Sequence, residues 1–415
     1  GSALFFALIL MVVITMLSAL LLRTSFFHSK EIILLDIRER LIDNANSGLT
    51  LLTAEVADRP VYRSTISLYG AGDDSVRLTA YRWGVFRVLR AEAFSGRYSY
   101  SKAALTADHI PAGVPALFIP EQRDGLSLCG NTVIKGTAVL PKAGVRHAYI
   151  EGSTYHGDKL IYGEIKTSTE KFPAGIKKLL ELHPADFLIR NSGLAVEQLH
   201  YEHIKQSDTV VKAFDDTLWL IHKEGLLVLH QQTVQGQILF VATKEIVIAN
   251  SFSCNDIMII APVIKIEQGF KGSLQAFAAD TIIAGYNIEL SNPSALAVIS
   301  HKNKDPLLTI GDAAGIAGVV IAVHRDTATR QDRPILDIHR GATITGAVIS
   351  NGCVQHQGVI EGTLVCGSLA LHTAKAGYKN HLLDAVIDKS RLPSGIGSCN
   401  CMEANASQKI IKWLY

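Results

Sequence analysis

Two short runs bring together side chains capable of acid–base chemistry: Asp337, His339 and Arg340, and His324, Arg325 and Asp326. Residues two apart on a strand project from the same face, so Asp337 and His339 would share one. A carboxylate, an imidazole and a guanidinium on such a face are groups that could act on a polysaccharide. Solvated strand-face polar residues explain both trios equally well, and we assign no catalytic residue. The adjacent carboxylates of Gly72-Asp73-Asp74 read as a turn. The cysteines are Cys129, Cys254, Cys353, Cys366, Cys399 and Cys401. In an exported chain Cys353, Cys366, Cys399 and Cys401 are the disulfide candidates; the competing reading makes Cys254, Cys353 and Cys366 small inward-facing residues. Cys399 and Cys401 stand closer than a zinc knuckle requires, and no second knuckle follows. The histidines, among them His200, His203, His222, His230 and His356, fall into no ligand spacing. The sequence contains no nucleophile elbow, phosphate-cradling loop or dinucleotide fingerprint. The expectation is a protein that is not an enzyme and has no cofactor and no metal.

The elements must therefore carry the function. The 415 residues are 48% hydrophobic and 19% charged, with a net charge of +2. That composition excludes intrinsic disorder. Forty basic residues balanced by 38 acidic ones form no basic stripe, so nucleic acid is not an expected partner. The length suggests two or three domains of about 100–200 residues.

The most apolar block opens the chain. Ala3 to Leu22 reads ALFFALILMVVITMLSALLL, and as a helix it is about 30 Å long, the thickness of a bilayer core. Its apolar surface is carried by Ala3, Leu4, Phe5, Phe6, Leu8, Ile9, Val12, Val13, Ile14, Leu17, Leu20 and Leu22. A cleaved secretory signal fits less well, because its apolar region is shorter, about 7–15 residues, and ends at a small-residue cleavage site. Beyond the span, Ile33, Ile37, Leu41, Ala45, Leu49 and Leu52 recur at three- and four-residue steps. That period predicts an amphipathic continuation of one long helix.

Gly1-Ser2-Ala3-Leu4, the run to Leu22 and the stretch DNANSGLTLLTAE at 43–55 together resemble the N-terminal spine of type IV pilins and pseudopilins, especially the minor kind. The resemblance implies removal of a leader peptide and a helix that anchors in the inner membrane or packs in a filament core. Phe5 stands where major pilins carry glutamate. Arg23, Lys30, Arg38 and Arg40 follow the span, which by the positive-inside rule points the rest of the chain to the cytoplasm. The resemblance implies the opposite, exported orientation, and that is the one expected here.

Strands are expected over 75–82, 85–94 and 98–105, where apolar and polar residues alternate between Gly-containing turns. Residues 125–170 read as short strands with tight corners, and 172–182 as a short helix. From about 208 to 372 short apolar runs follow one another. Ile246, Ile264 and Ile282 are spaced by eighteen, and Ile344 to Val348 is echoed by Ile360 to Leu364. Such self-similarity predicts a parallel β-solenoid. Ile344, Gly346, Val348, Gly358, Ile360, Gly362 and Leu364 resemble the rungs of bactofilins, the polymer-forming β-helix scaffold proteins.

The expected order is a spine helix (1–57), an antiparallel head (58–124), a short-strand region (125–207), a parallel β-helix (208–375) and a cap (376–415). The fold class is mainly β behind one long transmembrane and amphipathic helix. The apolar end Trp413, Leu414 and Tyr415 is either a closing strand or a partner-facing tail. The function expected is a membrane-anchored, pilin-like structural or adhesive subunit of a bacterial filament or secretion apparatus. Its partners would be the lipid bilayer, other filament or pseudopilin subunits including copies of itself, and surface polysaccharide. A membrane-tethered carbohydrate-active β-helix enzyme and a cytoplasmic bactofilin-like scaffold are the alternatives.

Overall fold

The computed structural model describes residues 2–55, 61–68, 74–110, 113–169, 172, 193–300, 306–325, 333–399 and 408–414. The expected helix over 172–182 lies largely outside them, as do Gly72, Asp73, Asp326, Cys401 and Tyr415. The chain forms two compact units: Gly1–Leu52, Arg63–Thr79 and Arg90–Lys102 make the first, and Thr53–Tyr62, Ala80–Leu89 and Ala103–Tyr415 the second.

The first unit is built on one unbroken helix, α1 (Ser2–Glu55). Four strands follow: β1 (Val61–Ile66), β2 (Asp74–Trp83), β3 (Phe86–Ser95) and β4 (Tyr98–Asp108). They lie in chain order in a small antiparallel sheet, and β2, β3 and β4 run through both units. The amphipathic half of α1 meets the unit's own strands. Leu41, Ala45, Leu49 and Leu52 recur at helical spacing and are all buried. Gly48 lets the backbone come close: a Cβ there would lie 2.8 Å from Leu78 Cδ2 and 3.0 Å from Val76 Cγ1. Polar ties flank the contact, with Arg40 3.6 Å from Asp74 and Lys102 Nζ donating to Asn46 Oδ1 at 2.7 Å.

The second unit is dominated by parallel ladders. In one, Leu227, Ile246, Ile264, Ile282, Leu308, Leu336, Val354 and Leu369 are successive register partners. In a second the column is Ile221, Phe240, Ile259, Ala276, Leu296, Val320, Val348 and Leu364. A third runs Val210, Val234, Cys254, Gly272, Leu290, Ile316, Ile344, Ile360, Ile387 and Ile134. Along these ladders a strand pairs in parallel with the equivalent strands one coil earlier and one coil later, which is the arrangement of a solenoid and not of a closed barrel. The eighteen-residue steps from Ile246 to Ile264 to Ile282 are steps of register, and Ile344 pairs with Ile360. The apolar members of these columns fill one continuous core.

The coils are not stacked in chain order. The second ladder continues from Leu364 to Leu117, then Ala138, then Ile165. Residues 117–167, which follow the sheet in sequence, thus stack against the C-terminal coils. At the other end of the same ladder, Leu199 pairs with Ile221, and the short helix Tyr201–Ile204 turns Tyr201 and Ile204 into the core.

The outer side of the second ladder is buried too. Leu239, Met258, Phe277, Ala297, Val319, Ile321 and Ile349 form a second apolar cluster with Tyr81, Trp83, Phe86, Val88 and Leu105. Strands covered on both faces read as unbroken apolar runs, which is why VVIAV (319–323) lacks alternation. Four hydrogen bonds tie this layer. Gln275 donates to the Trp83 carbonyl at 2.9 Å and accepts from the Val85 N–H at 3.0 Å. The Trp83 indole donates to the Asp256 carbonyl at 3.1 Å, and Tyr81 Oη bonds Gln237 Oε1 at 3.1 Å.

Gln408–Leu414 forms a further strand of the small sheet. It pairs antiparallel with β4, from Gln408 opposite Asp108 to Leu414 opposite Ala103. Leu414 is buried and Trp413 half-exposed. Gln408–Leu414 is thus an edge strand of the small sheet.

Candidate functional site

Among the described residues, the first half of α1 presents a continuous run of exposed apolar side chains. From Leu4 to Leu22 every large apolar side chain is exposed, Phe5 by 66% and Met16 by 72%. Among the described residues α1 is the one helix long and apolar enough to cross a membrane. Its backbone is compatible with lipid, since helical hydrogen bonding satisfies every interior N–H and C=O. Thr15 Oγ1 donates back to the Met11 carbonyl at 2.8 Å and Thr24 Oγ1 to that of Leu20 at 2.6 Å, so these hydroxyls are satisfied too. Past the apolar run Arg23 lies over the Phe27 ring at 5.6 Å, followed by His28 and Lys30. Basic and aromatic side chains of this kind favour a membrane–water boundary.

The cysteines divide. Cys129, Cys254, Cys353 and Cys366 are buried thiols, and Cys399 is disulfide-bonded. Of the disulfide candidates, Cys353 and Cys366 are free and buried, and the register partner of Cys353 is Ser368. Burial pushes the Cys366 thiol upward, with the neighbouring Cys353 adding to the shift, and burial also raises that of Cys254. Cys254 and Cys366 are therefore poor nucleophiles.

Of the two polar trios, one is partly assembled. His339 Nε2 lies 3.4 Å from Asp337 Oδ2, and its Nδ1 lies 3.8 Å from Asp312 Oδ1. Burial raises the Asp337 carboxyl above its usual range, opposed by His339, Gln355 and His372. His324 is engaged through its backbone, its N–H donating to Asn351 Oδ1 at 2.9 Å and its carbonyl accepting from Asn351 Nδ2 at 2.6 Å. No group of three or more His, Cys, Asp or Glu among the described residues is arranged to hold a metal ion.

Some key residues carry no sequence signal. Gln275, Gln237 and Asp256 look like ordinary surface polar residues within strand runs, yet all are buried. Lys412 Nζ reaches Asp256 Oδ1 at 2.8 Å, tying the C-terminal strand to a solenoid coil. His356 points into the core, with Nε2 3.2 Å from the Val386 carbonyl, and burial lowers its pKa to about 4.

No protein-family model and no curated protein matches the chain. Among solved structures, competence-associated pilin ComZ from Thermus thermophilus aligns over 92% of this chain and 95% of that one, at 11% identity and a TM-score of 0.18. A superposition that loose carries no argument about this chain's fold or function.

Proposed function

We propose that this chain is a membrane-anchored, pilin-like structural subunit of a bacterial cell-envelope filament or secretion apparatus, displaying a β-solenoid outside the membrane. One observation supports it above the rest: a single helix leaves the residues from Leu4 to Leu22 uncovered while its later turns, Leu41 to Leu52, are buried by the chain's own strands. The bare half needs an apolar environment, because a contiguous apolar surface of that extent is not stable in water. Lipid supplies it before assembly, and the helices of neighbouring subunits supply it afterwards. The solenoid provides a rigid body suited to display or adhesion, with surface polysaccharide as a further partner.

Photo-crosslinking residues placed at Leu8 and Leu17 in the native cell test this directly. The expected result is crosslinked species of two or more protein subunits in the membrane or in a sheared filament fraction. Adducts to lipid alone would overturn the filament reading and leave a simple anchor. Recovery as an uncrosslinked soluble protein would overturn both.

A further inference from the structure

Residues 117–167 are held on the stack by a seam of three parallel pairings. Leu117 and Phe118 pair with Leu364 and Val365, Ser127 to Cys129 with His381–Leu383, and Val133–Lys135 with Val386–Asp388. The strand Val386–Asp388 is central to the seam, because it also pairs with Val359 and Ile360 on the coil before it. Two buried titratable side chains hold that strand. His356 is one: its Nε2 lies 3.2 Å from the Val386 carbonyl oxygen, and its buried Nδ1 has no partner among the described residues. Asp388 is the other. Its Oδ1 accepts from Ser390 Oγ at 2.6 Å and from the Ser390 N–H at 3.0 Å. Its Oδ2 lies 3.4 Å from Lys135 Nζ across the seam and 3.3 Å from Arg391 Nε.

Each tie suits one protonation state. A neutral His356 donates to the Val386 carbonyl from Nε2; a second proton would put a charge and an N–H without an acceptor into an apolar interior. A protonated Asp388 would no longer answer the charges of Lys135 and Arg391. We infer that this seam is an acid-sensitive joint: as pH falls, the coils of residues 117–167 come away from the coil carrying Ile360 and Ile387, while the remaining coils stay folded. The charged groups facing Asp388 are Lys135 from the docked coil and Arg391 from the turn that follows, and Arg391 in turn lies 3.8 Å from Glu361 on the strand beyond. His356 faces the Val386 carbonyl and no charged side chain among the described residues. Burial holds the His356 imidazole down at about 4, against an ordinary 6.5. The opened seam takes up that proton more readily, so the stability from neutral His356 is complete above about pH 6.5 and is lost as pH falls toward 4. Burial alone would raise the Asp388 carboxyl, but Ser390 and Lys135 outweigh it and hold it below the ordinary 3.8. Its contribution is present above that value and lost below it, so His356 acts first.

The experiment is hydrogen–deuterium exchange of the full chain in detergent at pH 7 and 4.5, corrected for the pH dependence of intrinsic exchange and read segment by segment. Segments 126–135 and 381–388 should lose protection in acid by roughly 50- to 100-fold, the factor set by a proton that only the open seam takes up readily. Segments 257–266 and 274–284, in coils away from the seam, should change little. In His356→Leu the acid step should disappear. Asp388→Asn should lower the protection of the same two segments already at pH 7 and keep the step. Unchanged protection at the seam overturns the joint, as does an equal loss in every coil, which is global unfolding. A step that persists in His356→Leu overturns the role given to that residue. Should His356→Leu fail to fold, the contrast between segments in wild type and in Asp388→Asn decides alone.

Discussion

Gly346 shows how much a single residue can be fixed by the next coil. Its φ is +146°, and an added Cβ would sit 1.9 Å from the Gly318 carbonyl oxygen. Gly346→Ala should therefore destabilise the solenoid by at least about 2 kcal/mol in chemical denaturation. Gly315→Ala is the control, because its nearest contact is 3.9 Å away, and it should change stability little. His356 makes a second prediction. Its folded pKa of about 4 lies below the ordinary value of 6.5, so the unfolded chain binds the proton more readily. Stability should therefore be full above about pH 6.5 and fall by up to about 3 kcal/mol as pH drops toward 4. In His356→Leu that acid limb should flatten, which urea titrations at pH 5 and 7 would show. The glycines at 346 and 362 were legible in the sequence as a repeat. The inward turn of His356 was not, because one polar residue in a strand run carries no sign of which face it occupies.

At the scale of elements, the two halves of α1 should respond differently to the same change. Leu49 is buried against the unit's own strands, so Leu49→Ala should destabilise the protein by about 3 kcal/mol. Leu20 is exposed, and Leu20→Ala in detergent should leave the unfolding transition within about 0.5 kcal/mol of wild type. The C-terminal strand offers a sharper test. Asp256 is almost wholly buried beside Lys412, so Lys412→Met strands a buried carboxylate and should destabilise by on the order of 3 kcal/mol. Adding Asp256→Asn should recover most of that loss, and a double-mutant cycle by denaturant titration checks it. The helical period from Ile33 to Leu52 announced the amphipathic face. Nothing in QKIIKWL distinguished a cap from an edge strand of a distant sheet, because its partner, β4, lies about 300 residues away in sequence.

For the whole molecule, the exposed first half of α1 can be removed without taking any group out of the cores described above. Deleting residues 2–28 should give a chain that stays in solution and unfolds cooperatively at a temperature close to that of the full chain in detergent. Loss of a cooperative transition, followed by circular dichroism, would show that the segment is needed for folding and not only for anchoring.

The sequence by itself determined the long apolar helix, its amphipathic continuation, the strand meander and the coil-to-coil register of the isoleucine columns. These are local periodicities, and each is imposed by geometry within a few turns or one coil. Tertiary structure alone decided that residues 117–167 stack beyond the coil of Ile360 to Leu364, that Ser368 is the register partner of Cys353, and that Gln408–Leu414 adds a strand to the small sheet. Each of these depends on which of several similar strands becomes a neighbour. The patterns of apolar residues are nearly interchangeable between rungs, so the choice rests on corner lengths, buried polar ties such as Gln275 to Trp83, and the fit of one face against another.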